Sequence, residues 1–204
     1  MPRHRPHDPV RVATAAFRRG GGILRAHEAR AAGIHPRTLA SMAEQGTLLR
    51  ASRGVYQLAG TTSPDPDFAI VARMVPSAVV CLVSALAVHR LTTQIPHAVD
   101  LAVPKGFTDR RLQHPPVRMY RFGDASLDAG VTQMTVGGVR LRVYSAAKSV
   151  ADCFKFRNKI GRDIAVEALR NYLRRRDARV QDLTRFAAIN RVQSVMAPYL
   201  DALI

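Results

Sequence analysis

A chain of 204 residues, 47% hydrophobic and 23% charged, has room for one ordinary domain or two small ones and the composition of a globular protein. Its charge is unusual: 31 Lys and Arg against 15 Asp and Glu give +16, divided as +7 up to Gly60 and +9 beyond it, so both parts call for a polyanion or an acidic protein surface. No apolar run approaches about 18 residues and no hydrophobic segment follows the basic start, which argues against membrane insertion and secretion. Cys81 and Cys153 lie far apart, outside any CxxC, and are expected to be buried, reduced thiols.

Residues 1 to 8 alternate Arg, His and Pro and read either as an unstructured tail or as a basic arm for a minor groove. From Pro9 to Arg19 the spacing predicts a helix with Val10, Ala13, Ala16 and Phe17 on one face. The stretch from Gly22 to Leu58 organises the chain. Gly33 reads as the tight turn between two helices, with small Ala29 before it and Ile34, Leu39 and Met42 after it facing a small core. Ala26 to Ala32 is rich in helix formers, and the second helix is expected from Pro36, which needs no N–H there, to Gln45, with Gly46 ending it.

At 100° per residue the second helix turns Leu39, Met42 and Ala43 inward and Arg37, Ala40, Ser41 and Glu44 outward, with Thr38 and Gln45 at the border. An outward face this short-chained and polar suits close approach to a major groove. Two β-prone runs follow, TLLRA and VYQL, joined by the tip Ser52-Arg53-Gly54, and read as a hairpin. The helices alone are equally compatible with a plain αα-hairpin; the hairpin with Arg50 and Arg53 near its tip favours a winged helix-turn-helix, whose wing places cations on phosphate or in the minor groove. The expected DNA contacts are His35, Arg37, Thr38, Ser41, Gln45, Arg50, Ser52 and Arg53. His35 has two readings, phosphate donor and helix cap.

The pattern carried by Gly21, Gly22, Leu24, Glu28, Ala29, Ala32, Gly33, Ile34, Leu39, Gly46, Leu48, Arg50, Arg53, Gly54, Val55 and Tyr56 resembles the N-terminal domain of the AbiEi family, antitoxins of type IV toxin-antitoxin systems. Tyr144 to Leu173 is similar to the end of that family's C-terminal region. The resemblance implies a cytoplasmic bacterial regulator that represses its own operon at inverted repeats and counteracts a nucleotidyltransferase-like toxin. Two copies on the DNA are also expected on physical grounds, since one winged module buries only about 600–1,000 Å².

Ala59 to Asp67 has linker composition and marks the expected boundary between a domain at 1–60 and one at 68–204. Beyond it the pattern predicts a short helix from Asp67 to Val75 and a strongly apolar helix from Ser77 to Leu91. Strands are expected at His97–Pro104, Val117–Phe122 and on either side of Gly137-Gly138. Helices then follow from Ser145 to Phe156, from Asp163 to Arg176, and twice more towards the end. The class is α+β, with a small, mostly antiparallel sheet and flanking helices.

Catalysis finds little footing. Asp100 with Lys105, and Asp152 with Lys155, lack the spacing of a metal-dependent nuclease, and Asp152 with Lys155 reads as a surface or capping pair. There is no phosphate-binding glycine motif and no HExxH, and the seven histidines form no spaced pair with a Cys or acid, so no catalytic residue, cofactor or metal is expected. The patch of Arg170, Arg174, Arg175, Arg176 and Arg179 is either a solvated helix C-terminus or a contact for an acidic toxin surface or DNA phosphate. A regulator without a toxin partner and a DNA-processing nuclease remain as alternatives.

Overall fold

The computed structural model describes residues 8–61, 65–108 and 114–203. The expectation for the N-terminal tail falls, except for Asp8, outside these residues, as does part of the linker-like stretch. The chain divides into two compact units, Met1–Pro76 with Leu112–Pro115 and Thr135–Leu141, and Ser77–Arg111 with Pro116–Met134 and Arg142–Ile204.

In the first unit, α1 (Pro9–Arg19) begins where the Asp8 carboxylate accepts the Val10 amide at 3.0 Å. It buries Ala13, Ala16 and Phe17, but Val10 is 36% exposed: in the first turn it lies beyond the reach of the core, contrary to the face expected of it. Then come β1 (Ile23–Arg25), α2 (Ala26–Ala31) and α3 (Pro36–Glu44). Between α2 and α3 the Gly33 amide donates to the Arg30 carbonyl and the Ile34 amide to the Ala29 carbonyl, a Schellman closure that needs the φ of +82° Gly33 supplies. The hairpin β2 (Leu48–Ser52) and β3 (Val55–Leu58) follows, and β1, unforeseen in the sequence because it is three residues long, pairs antiparallel with β3 to give the order β1-β3-β2. Helix α4 (Pro66–Met74) lays Ala69 and Ile70 against Ile23, Val55 and Val139.

The second unit opens with β4 (Val79–Val80) and α5 (Leu82–Val88), where one helix over Ser77–Leu91 was expected. The β-branched pair is drawn into the sheet, Cys81 stays extended, and the helix begins only after it. Next are β5 (Val99–Pro104), β6 (Val117–Phe122), a five-residue α6 (Asp124–Asp128), β7 (Val131–Val136) and β8 (Val139–Tyr144), of which the turn end, Thr135–Leu141, is counted with the first unit. The strand order is β6-β5-β4-β8-β7. The sheet is mixed rather than mostly antiparallel, since β5 pairs parallel with β6 and β4 parallel with β8, while β4 and β5 are antiparallel. The physical reason is burial: Val99 to Val103 are all buried, as parallel strands covered on both faces are, and period-two patterning does not distinguish the two pairings.

Helices α7 (Ala146–Lys155), α8 (Arg157–Ile160), α9 (Arg162–Leu173), α10 (Val180–Asn190) and α11 (Gln193–Asp201) complete the unit. α7 is its axis: every residue from Ala147 to Phe154 is buried, and α5, α9 and α10 pack around it. Cys81 and Cys153 are free and buried. Among the described residues no helix is long and apolar enough to cross a membrane.

Candidate nucleic-acid interface

Helix α3 is held by its inner side and offers its outer side to solvent. Leu39 and Met42 are buried against α1 and β2, while Arg37, Ala40, Glu44 and Gln45 are exposed and Thr38 and Ser41 are half-buried. His35 caps the helix, its Nδ1 accepting the Arg37 amide at 3.1 Å. That bond leaves the imidazole proton of the neutral ring on Nε2, so the cap retains a donor besides the one it satisfies. Ser41 and Gln45, one turn apart, are joined by a 3.1 Å bond from the Gln45 amide nitrogen to the Ser41 hydroxyl. The amide oxygen of Gln45 and its second N–H are not engaged in that bond, and together they form the donor and acceptor pair that can match an adenine edge.

The hairpin brings its cations beside this helix in sequence. Arg50 is exposed, donates to the Tyr56 hydroxyl at 3.4 Å and lies 5.7 Å from the centre of the Tyr56 ring, its registered partner across β2 and β3. Arg53 is exposed in the turn before Gly54. Ser52 is a correction to the expected contact set. The register shifts between Arg50 and Ser52, and this irregularity turns Ser52 inward opposite Val55, leaving it 7% exposed. Leu49, which the sequence did not single out, is 53% exposed on the same strand.

What braces the helix pair is Glu28, a residue whose place in the pattern had no assigned task. Its carboxylate accepts the Arg25 amide at 2.8 Å and the Arg73 guanidinium of α4 at 3.0 Å, while Arg73 also donates to the Gly20 carbonyl at 2.7 Å. Burial pushes the Glu28 carboxyl up, but the Arg25 amide and the Arg73 and Arg25 guanidiniums outweigh it and hold the carboxyl below its ordinary value. At Gly21 the backbones meet: a Cβ there would clash with the Gly137 carbonyl oxygen, and one on Gly138 would stand 2.7 Å from the Gly21 Cα. The glycine pair expected only to turn a hairpin thus also permits this approach.

The second unit overturns the surface reading of Asp152. The carboxylate is fully buried, and its partner is Lys148 at 2.5 Å, not Lys155. Asn190 donates to the same carboxylate oxygen at 2.7 Å, Ser126 joins Asn190 at 2.7 Å, and the Lys148 ammonium lies 4.2 Å from the Tyr144 ring centre. Burial pushes Asp152 up to about 6 and Lys148 down from its ordinary value. Asp100 is likewise buried, with burial pushing it up to about 6. Of the basic patch, Arg175 is committed to Asp177 at 2.8 Å and to the His89 carbonyl at 3.1 Å. No three His, Cys, Asp or Glu among the described residues gather where they could hold a metal ion.

Residues 11–59, about a quarter of the chain, match a family model described as "Transcriptional regulator, AbiEi antitoxin". The match runs from within α1 to just past β3 and bears out the resemblance carried by Gly21 to Tyr56, while Tyr144 to Leu173 lies outside it. No curated protein matches the chain.

Proposed function

We propose that the chain is a DNA-binding transcriptional repressor and the antitoxin of a type IV toxin-antitoxin system. On this reading α1, α2 and α3 with the β2–β3 hairpin form a winged helix-turn-helix. The module up to Gly60 binds operator DNA, and residues 68–204 form a second domain that serves neutralisation, self-association or both. The observation that carries the proposal is the exposed, short-chained face of α3 followed at once by a hairpin with two exposed arginines, all within the stretch that matches a family of transcriptional regulators.

The contacts divide by chemistry. Arg37, at the exposed start of α3, reads a guanine edge, with Ser41 and Gln45 further along the same helix and Thr38 at its border. His35, Arg50 and Arg53 meet phosphate and fix register without reading sequence. Two copies bind an inverted repeat upstream of the chain's own operon, in the cytoplasm, and the product of a neighbouring gene is the nucleotidyltransferase-like toxin that the second domain counteracts. Footprinting on the upstream region tests this: the wild-type chain protects two symmetric half-sites. Arg37→Ala loses about 1–3 kcal/mol of discrimination between operator and unrelated duplex. Protection of one isolated, asymmetric site, or unchanged discrimination by the variant, contradicts it.

A further inference from the structure

A cavity of about 150 Å³ in the second unit brings together the segment before β5, strand β6 and helices α8 and α9. Ile95, Ile160 and Ile164 give it an apolar wall. Ile95 is 84% exposed, more than any other large hydrophobic side chain among the described residues, and an apolar surface laid against it is removed from water at a net gain. The side chains on the lining that carry charge at neutral pH are Arg118, Lys159 and Asp100. They are not equally within reach. Asp100 is 2% exposed and its Oδ1 is closed to solvent, so the acid lies behind the wall. Arg118 and Lys159 are exposed, and among the described residues neither forms an ion pair with a carboxylate.

We propose that this cavity binds a small aromatic monocarboxylate, its carboxylate meeting Arg118 and Lys159 and its ring lying against Ile95, Ile160 and Ile164. Charge decides the polar half of the ligand. With the acid sealed and two cations open to solvent, an ammonium finds no counter-charge while an anion finds two, and guanidinium–carboxylate pairs are among the stronger hydrogen-bonded contacts a side chain makes. Volume decides the apolar half. A cavity of about 150 Å³ with aliphatic and aromatic walls holds one benzene ring, and a nucleotide does not fit in it. A ring also brings its six carbons without the rotors that a six-carbon chain must freeze on binding. The carboxylate is bound without DNA, so this site and the operator reading can fail separately.

Calorimetry on the full chain tests the proposal. Benzoate binds one per chain with a dissociation constant of about 1 mM or lower. Acetate, which lacks the ring, and benzyl alcohol, which lacks the charge, each bind about tenfold or more weakly, and benzylammonium, of opposite charge, gives no measurable binding. Arg118→Ala weakens benzoate about tenfold or more at an unchanged melting temperature, Lys159→Ala repeats the loss, and Ile95→Ser weakens benzoate as well. Arg174→Ala removes an exposed cation that does not line the cavity and leaves benzoate binding as it was, which separates the site from the general attraction of a +16 chain for anions. No heat from benzoate at millimolar concentration overturns the proposal. So does acetate or benzyl alcohol binding as tightly as benzoate, or a folded Arg118→Ala chain that binds benzoate like the wild type.

Discussion

Ser41 of α3 with Gln45 at that helix's C-cap, and Lys148 with Asp152 on α7, are both polar pairs four residues apart, and both are hydrogen-bonded, at 3.1 and 2.5 Å. Their surroundings separate them. The α3 pair stands at the surface, where exchanging its internal bond for one to a base edge costs a few tenths of a kcal/mol. The α7 pair is sealed from water beneath Tyr144 and Phe122, where a charge that loses its counter-charge has nothing to replace it. One spacing therefore gives an exposed pair, which the proposed function uses for recognition, in the first unit and a buried architectural pair in the second, and burial alone separates them.

Removing one member of the buried pair is the most damaging way to test that contrast. Lys148→Met or Asp152→Leu alone should cost about 3–5 kcal/mol in urea denaturation, because each leaves an uncompensated buried charge. The double substitution should cost clearly less than the sum of the two. Strict additivity would show that the pair does not act as a unit.

The next effect concerns pH, where two carboxyls, one in each unit, have opposite signs. Asp100 is pushed up by burial from 3.8 to about 6, so the folded chain holds its proton more tightly than the unfolded one. Its contribution to stability is full below the unfolded value and is lost as pH rises through about 6. Asp100→Asn should accordingly gain about 1–3 kcal/mol over the wild type at pH 8 and nothing at pH 4, read by denaturation at the two pH values. Glu28 runs the other way, since its lowered pKa gives stability that is present above the unfolded value and lost as pH falls. An Asp100→Asn gain confined to acid pH would reverse the assigned sign.

Smallest is the exposed pair. Ser41→Ala and Gln45→Ala should each stay within about 0.5 kcal/mol of the wild type in stability. A loss on the scale of the α7 substitutions would erase the distinction between the two helices.

The contrast also explains what was legible in the sequence. The turn at Gly33, the start of α3 at Pro36 and the hairpin strands could be read because their determinants are local: a left-handed glycine, a proline that needs no N–H, and short β-prone runs. The inward turn of Ser52 was not legible, because a register shift in β2 depends on its pairing with β3. Nor was the Lys148–Asp152 pair, since its role comes from α5, α9 and α10 closing around α7. Val79 and Val80 carry an apolar pattern that fits helix and strand alike, and their partners β5 and β8, distant in sequence, decide it.

The central claim, that the hairpin after α3 lies on a phosphate backbone, is tested most directly by the salt dependence of binding to a duplex containing the inverted repeat, compared between the wild type and Arg53→Ala. Each phosphate contact contributes about 0.9 to the slope of log Kobs against log salt. Two modules on one duplex should therefore lose about 1.8 from the slope when Arg53 is removed, with a weakening that is alike on operator and unrelated DNA and with an unchanged melting temperature. An unaltered slope in a folded Arg53→Ala chain would contradict the account.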